Sequence, residues 1–180
     1  FKRKRGLYFS KKNTKLVGIE IPIMAPIIEG VENVKFKGFI DLVTYDKVTK
    51  KYTIFDFKTS TRGWSDYEKK DQTKINQILL YKRKFAEAKG ISEDDVDVKF
   101  FILRRKINES LDYAPKRIQE FIPANGTKKV REAIEDVQNF IRDTFTPEGG
   151  YQEKLYPKNL DKCRFCPYLD RPDLCDRKNP

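Results

Sequence analysis

Two acidic residues and a lysine lie in neighbouring hydrophobic runs, at a spacing that can build a catalytic centre. Asp41 ends the run Gly38-Phe39-Ile40-Asp41, and Asp56, Phe57 and Lys58 follow in the next run. Because side chains alternate between the faces of a strand, Asp56 and Lys58 are predicted to point one way and Phe57 the other, into a core. If the runs pair, Asp41 approaches Asp56, and a divalent cation is the simplest way to relieve the repulsion.

The chemistry that suits these residues is metal-assisted hydrolysis of a phosphodiester. Carboxylate oxygens are hard ligands and favour Mg²⁺ or Mn²⁺, which can polarise a phosphate and activate water for in-line attack. Lys58 need not bind metal, because its ammonium can position the water or stabilise charge building on the phosphate. The alternative is two surface carboxylates beside a solvated lysine, since so short a pattern also occurs by chance.

The elements that must position these residues are a mixture of strands and helices. Strands are predicted at 16–28, 34–45 and 51–59, and the short polar connection 46–50 makes the last two an antiparallel hairpin. A long helix is predicted from Ser65 to Lys89, with Gly90 as its stop. Two strands, 96–107 and 117–123, and a helix over 127–145 follow. We expect one α/β core over residues 1–150 and a loop-rich, cysteine-containing tail over 151–180 packed on it.

Gln77 and Tyr81 are four residues apart on the predicted long helix and therefore share one face. The Gln77 amide and the Tyr81 hydroxyl can both form hydrogen bonds. An ordinary amphipathic helix with Tyr81 at the edge of the core would give the same pattern. The position of the pair after Asp56 and Lys58 favours a shared site.

Together these motifs resemble the PD-(D/E)xK nuclease superfamily. Asp41 and Asp56-Phe57-Lys58 match its pattern of an acid, a strand connection, a second acid, one residue and a lysine. Gln77 and Tyr81 resemble the QxxxY motif of its RecB-like branch, where the pair helps to hold the active site and the DNA end. The resemblance implies a restriction-endonuclease-like mixed sheet flanked by helices. It also implies hydrolysis of DNA with metal held by the two aspartates and the carbonyl of Phe57.

An upstream acid is the less certain part of this resemblance. Glu20, in the strand before Asp41, is a candidate for the additional acid that many members place near the metal. A surface glutamate on an edge strand explains it equally well. The upstream histidine of the family is absent, because the chain contains no histidine. The chain begins with Phe1 rather than Met, so we expect an upstream segment.

Three cysteines, Cys163, Cys166 and Cys175, lie close together near the end of the chain. An odd clustered set argues against a disulfide framework and favours the cytoplasm or another reducing compartment. The group resembles the C-terminal cysteines of iron-sulfur RecB-like nucleases. A [4Fe-4S] cluster needs four thiolates, so the fourth ligand lies upstream, zinc is bound instead, or the site is empty. The residues considered as substitutes for the fourth thiolate are Asp170, Asp173 and Asp176.

The charge of the chain favours nucleic acid as its partner. Lys and Arg number 38 against 27 Asp and Glu, a net charge of +11, and such a surface attracts phosphates through counterion release. The residues directly after the catalytic strand are candidates for DNA contacts, through hydroxyls that donate to phosphate and an indole that stacks on a base. They are Thr59, Ser60, Arg62 and Trp64. The alternative is a simple turn at Gly63. No apolar run approaches the roughly 20 residues of a membrane span, so we expect a soluble protein.

The resemblance implies an exonuclease acting on DNA ends or single strands, in repair, recombination or replication. A helicase or a recombination protein is the partner that this setting implies. A CRISPR adaptation nuclease is the alternative among enzymes. A catalytically inactive DNA-binding module, or a subunit of a larger complex, is the alternative outside them. The intact set of Asp41, Asp56 and Lys58 argues against an inactive module.

Overall fold

The computed structural model describes residues 6, 8–10, 12–29, 31, 33–107, 110, 112–153, 163, 166–169, 171, 173 and 175. Five strands and two α-helices form within these residues. In chain order they are β1 (Thr14–Pro26), β2 (Lys35–Asp46), β3 (Tyr52–Ser60), α1 (Gln72–Lys89), β4 (Val96–Arg104), β5 (Ile118–Phe121) and α2 (Thr127–Thr144). Short 3-10 turns precede α1 at Glu68–Lys70 and β4 at Glu93–Asp95.

The strands form one mixed sheet in the order β1-β2-β3-β4-β5. β1, β2 and β3 pair antiparallel, β3 and β4 pair parallel, and β4 and β5 pair antiparallel. Parallel neighbours need a crossover connection, and α1 provides it between β3 and β4. The predicted hairpin of β2 and β3 and the mixed α/β order are therefore confirmed.

The main core lies between the sheet and the helices. Ile40, Ile54 and Phe100 of the sheet are fully buried with Ile78 and Leu79 of α1, and α2 adds residues to the same cluster. The other face of the sheet carries a smaller aromatic cluster. Its members are Phe55, Phe57 and Phe101, with Ile118, Leu42 and the rings of Tyr8 and Phe9. Both faces of β3 are thus anchored by packing, which holds its polar residues in a fixed orientation.

Helix α1 begins later than the sequence predicts, at Gln72 rather than Ser65. The side chain of Asp71 accepts hydrogen bonds from the backbone N–H groups of Thr73 and Lys74, at 3.1 and 3.4 Å. This satisfies donors that the first turn of a helix leaves free, so Asp71 sets the start. Gly90 ends the helix as predicted, in the left-handed conformation with φ of 64°.

The described part of the chain becomes discontinuous after residue 153. An isolated bridge between Phe145 and Tyr151 marks the turn beyond α2. The division into a core over 1–150 and a tail over 151–180 stays a prediction. Among the described residues, no helix combines the length and the apolar character needed to cross a membrane.

Candidate active site

β2 and β3 separate where the two candidate carboxylates lie. Their ladder runs from Tyr45 and Tyr52 to Leu42 and Phe55, and one further step would place Asp41 opposite Asp56. Instead, Asp41 Oδ2 accepts a hydrogen bond of 2.6 Å from the backbone N–H of Phe57. From there β2 continues against β1, and β3 continues against β4. A wedge therefore opens between β2 and β3, with a carboxylate on each side.

Asp56 and Lys58 point to the same face of β3, as the alternation of the strand predicts. Lys58 Nζ lies 2.8 Å from Asp56 Oδ2, and the Asp56 side chain is buried while that of Lys58 is partly exposed. Phe55 and Phe57 pack in the aromatic cluster on the opposite face. The charged pair is thus held at the edge of a packed interior rather than on an open surface.

Burial dominates the electrostatics of Asp56, because it raises the pKa of this carboxyl above its usual value. The Lys58 ammonium opposes the rise, and the nearby Asp41 adds to it. The ammonium lies 2.8 Å from Asp56 Oδ2, yet burial outweighs its effect on the pKa. The ionised form of Asp56 is therefore only partly compensated by the protein.

Helix α1 spans the wedge and contacts both sides of it. Gln77 Oε1 accepts a hydrogen bond of 3.0 Å from Lys58 Nζ, and Gln77 Nε2 donates one of 3.1 Å to the Tyr81 hydroxyl. Tyr81 is buried and its ring lies against Gly38 of β2. The predicted shared face of Gln77 and Tyr81 is confirmed, and it faces the carboxylates.

Gly38 has a positional role that the sequence analysis did not assign. A Cβ atom at this position would lie 2.7 Å from Tyr81 Cε1 and 3.1 Å from its hydroxyl oxygen. Real side chains do not approach so closely, so a larger residue here would displace the Tyr81 ring. The available signal was a glycine inside a hydrophobic strand, which often marks the close approach of another group.

Comparison with known protein families agrees with this geometry. The family model of the PD-(D/E)XK nuclease superfamily matches residues 4–171, which is most of the chain. The chain belongs to the PD-(D/E)XK nuclease superfamily. No curated protein matches it in sequence. Its five-stranded sheet and two helices have the restriction-endonuclease-like α/β architecture that the resemblance implied.

Membership of this superfamily suggests which ligand the wedge between β2 and β3 would bind. PD-(D/E)XK nucleases generally use divalent metals such as Mg²⁺. The structure brings five of the predicted site residues together: Asp41, Asp56, Lys58, Gln77 and Tyr81. The backbone of Phe57 lies at the wedge as well, through its N–H bond to Asp41. The other predicted residues lie elsewhere or are engaged differently.

Trp64 corrects one expectation for this PD-(D/E)XK nuclease, because its indole is a core side chain. It is 7% exposed, and its ring lies 5.1 Å from that of Phe100 and 6.2 Å from that of Phe121. Lys74 covers the ring at 5.1 Å. A buried ring has no free face for a base, so the prediction that Trp64 stacks on DNA is wrong for this conformation.

The other candidates for DNA contacts lie at the end of β3 and in the tight turn that follows it. The Ser60 hydroxyl donates to the carbonyl oxygen of Gly63 at 2.8 Å and accepts from the Gly63 N–H at 3.2 Å. This is the turn given as the alternative to DNA binding, and it occupies the Ser60 hydroxyl. Thr59 and Arg62 are exposed. Their predicted contacts with DNA stay predictions.

Glu20 does not join the two aspartates, although it lies between Ile19 and Ile21, which pair with Leu42 and Ile40 on either side of Asp41. Its φ of 52° is left-handed, which breaks the normal alternation of β1, and its side chain is exposed. Among the described residues, no three His, Cys, Asp or Glu side chains form a group that could hold a metal ion. The expectation of a third carboxylate from Glu20 is therefore not met.

The three cysteines are likewise not gathered into a metal site within the described residues. Cys163, Cys166 and Cys175 are partly buried free thiols, and no group of three potential ligands forms there. Asp173, one of the candidate substitutes, pairs with Arg171 at 2.6 Å. The other two candidates, Asp170 and Asp176, lie outside the described residues.

Proposed function

We propose that this chain is a Mg²⁺- or Mn²⁺-dependent deoxyribonuclease that hydrolyses phosphodiester bonds, as an exonuclease on DNA ends or single strands. The observation that carries the proposal is the buried Asp56 carboxylate beside Asp41 at the wedge, where burial raises the pKa of Asp56 although the Lys58 ammonium lies 2.8 Å away. A buried carboxylate of this kind costs free energy until a cation or a proton neutralises it. Its neighbour Asp41 increases the need for positive charge.

The donor set suits a hard divalent cation. Asp41 and Asp56 would hold it, with the carbonyl of Phe57 as a further ligand. Mg²⁺ is usually bound through one or two protein carboxylates, and waters and substrate phosphates complete its shell. The N–H and C=O of one residue point to the same side of a strand, so the Phe57 carbonyl is expected beside Asp41. When bound, the cation supplies charge neutralisation and Lewis-acid activation of the phosphodiester.

Lys58 supplies the positive charge that belongs to the protein itself. Asp56 and Gln77 hold its ammonium at 2.8 and 3.0 Å, so the side chain is oriented before substrate arrives. A fixed ammonium can orient the attacking water or stabilise charge that develops on the phosphate, at no reorganisation cost. Gln77 and Tyr81 act through Lys58 and are therefore positioning residues.

The finer assignment is to the RecB-like branch. It is supported by Gln77, which bonds to the Lys58 ammonium, and by Tyr81, which bonds to Gln77. Exonuclease action in repair, recombination or replication follows from that branch, with a helicase or recombination partner in the cytoplasm. A CRISPR adaptation nuclease is the alternative within the branch. A [4Fe-4S] or zinc site at Cys163, Cys166 and Cys175 stays a prediction, and visible absorbance and metal analysis of anaerobically prepared full-length protein test it.

The test compares the topology of substrates. End-labelled linear single-stranded and double-stranded DNA and a closed single-stranded circle are incubated with Mg²⁺ or Mn²⁺, beside the Asp56→Asn variant. We expect digestion of linear strands, sparing of the circle and loss of activity in the variant. Cutting of the circle would make the protein an endonuclease. DNA binding without cleavage under all conditions would make it an inactive DNA-binding module.

A further inference from the structure

Basic side chains are concentrated where β3 and β4 end and β5 begins. We call this surface the basic edge. Its members are Arg62, Arg104, Arg105, Lys106, Lys116 and Arg117. The basic edge lies just beyond the catalytic residues of β3. Ser60, the last residue of β3, pairs with Arg104, the last residue of β4.

The backbone of the basic edge is tied together by hydrogen bonds. The N–H groups of Arg105 and Lys106 donate to the carbonyl oxygens of Ser60 and Thr61, both at 2.9 Å. The N–H of Arg104 donates to the carbonyl oxygen of Arg117, also at 2.9 Å. The turn after β3 is therefore held against the extension of β4 and the start of β5. The backbone positions that carry these charges are therefore held at a fixed spacing.

Two arginines of the edge reinforce this framework with their side chains. Arg104 donates from Nε to the carbonyl oxygen of Arg62 at 2.9 Å, and from Nη1 to that of Lys116 at 2.5 Å. Arg117 Nη1 donates to the carbonyl oxygens of Arg104 and Arg105, both at 3.2 Å. Carbonyl oxygens orient the Arg104 guanidinium without cancelling its charge, so its positive potential remains.

The basic edge differs from the helices in how its charge is balanced. On α1 and α2, Arg83, Lys84, Lys129 and Arg131 pair with glutamates. Within the described residues, no ion pair involves any of five edge residues: Arg62, Arg104, Arg105, Lys106 and Lys116. No acidic side chain within the described residues therefore offsets these five charges, and together they attract an anion.

The basic edge is close to the wedge and shares a face with it. Lys58 is paired with Ile102, and Arg104 lies two residues further along β4. Phe100 and Ile102 pack under α1, so alternation places Arg104 on the same face as Lys58. Two residues along the strand and one strand across correspond to roughly 8 Å. A single DNA strand can span that distance within a few nucleotides.

We propose that the basic edge binds the phosphate backbone of single-stranded DNA, a few nucleotides from the phosphate held at Lys58. This inference rests on the proposed function and adds a surface that binds the part of the DNA strand outside the active site. Arg guanidinium groups match phosphate geometry, and none of these contacts requires a particular base. Tyr113, in the connection between β4 and β5, is 95% exposed. An exposed ring beside basic groups suits unpaired bases, which stack on aromatic side chains.

The test removes three charges but keeps Arg104 and Arg117, whose side chains donate hydrogen bonds to backbone carbonyl oxygens. The edge variant carries Arg62→Gln, Lys106→Gln and Lys116→Gln, three exposed residues. The control variant carries Lys12→Gln, Lys15→Gln and Lys47→Gln, exposed residues near the opposite end of the sheet. Both lose the same charge. Binding to a fluorescent single-stranded oligonucleotide is titrated at several salt concentrations in chelator, so that no cleavage occurs, and circular dichroism checks folding.

We expect the edge variant to lower the slope of log affinity against log salt by about 2, since each single-strand phosphate contact contributes about 0.7. The control variant should keep the slope of the unchanged protein. Equal slopes in both variants, whether changed or not, would overturn the inference. Lys58-dependent cleavage with equal slopes would refute the basic edge and leave the nuclease. Edge-dependent binding without cleavage would support the edge and refute the nuclease.

Discussion

The ammonium of Lys58 lies 3.0 Å from Gln77 Oε1, which joins the catalytic strand β3 to the crossover helix α1. A lysine side chain has about 2 kcal/mol of rotamer entropy to lose, so a second partner besides Asp56 helps to preorganise it. Gln77 passes the restraint on to Tyr81. Because Tyr81 packs on Gly38 of β2, the contacts connect both sides of the wedge.

Replacing Gln77 by alanine should slow the reaction without weakening DNA binding. The change removes a hydrogen bond to a charged group, worth about 1.5 to 3 kcal/mol, so kcat should fall about ten- to a hundred-fold at nearly constant KM. The matched control is Asn76→Ala, because Asn76 bonds to Gln72 and Asp136 on the exposed side of α1. A fall in kcat as large in Asn76→Ala would mean that only the helix had been disturbed.

Gly38→Ala should displace the Tyr81 ring and reduce activity. The new Cβ would lie 2.7 Å from Tyr81 Cε1, and relief of such overpacking typically costs about 1 to 3 kcal/mol. Chemical denaturation measures this loss and single-turnover cleavage measures the activity. Gly150→Ala is the control, since its Cβ would meet only Thr146 Oγ1 at 3.4 Å. Unchanged stability in Gly38→Ala would contradict the packing of Tyr81 against β2.

The positions of Asp56 and Lys58 could be predicted because the signals are local. Alternation along one strand places both on the same face, and a short polar connection makes β2 and β3 antiparallel. The helical spacing of Gln77 and Tyr81 is local as well. These predictions needed no knowledge of the remainder of the chain.

The errors arose where distant residues decide the outcome. Trp64 follows the catalytic strand in a polar segment, but its ring is buried by Phe100 and Phe121 from β4 and β5. Glu20 adopts a left-handed backbone that its side-chain type does not reveal. The separation of β2 from β3 also has no local signal in the sequence. It depends on the Asp41 carboxylate, which accepts the hydrogen bond of the Phe57 N–H in place of a backbone carbonyl of the ladder.

Without metal, Asp56→Asn should be more stable than the unchanged protein at neutral pH. Burial raises the pKa of Asp56, so the folded state holds this proton more tightly than the unfolded state. Asp56 therefore lowers the free energy of unfolding as pH rises from the ordinary pKa of 3.8 through the raised pKa, and this loss is complete above the raised pKa. Asparagine does not titrate, so the stability advantage of the variant should grow over this pH window.

Thermal unfolding with and without Mg²⁺ measures this effect. Mg²⁺ should raise the melting temperature of the unchanged protein more than that of Asp56→Asn, because binding to the folded state stabilises it. The difference in melting temperature between the two proteins should then shrink or change sign. A metal-free variant less stable than the unchanged protein at neutral pH would contradict the electrostatic argument.

Trp64→Ala should cost stability as a core substitution, about 3 to 5 kcal/mol. Exposed Arg62 provides a neighbouring control, because Arg62→Ala should change stability by no more than about 0.5 kcal/mol. Urea denaturation followed by circular dichroism measures both. A Trp64→Ala protein of normal stability with weaker DNA binding would instead place the indole on the surface.

The central claim is that Asp41, Asp56 and Lys58 form a metal-dependent cleavage centre, and the rate of Mg²⁺-dependent cleavage of a labelled single strand by Lys58→Met tests it most directly. The matched control is Lys47→Met, which removes an exposed lysine from the turn between β2 and β3. The account predicts a loss of about 100-fold or more in kcat for Lys58→Met, and a normal rate for Lys47→Met. Equal cleavage by the two variants, or cleavage that persists in chelator, would contradict it.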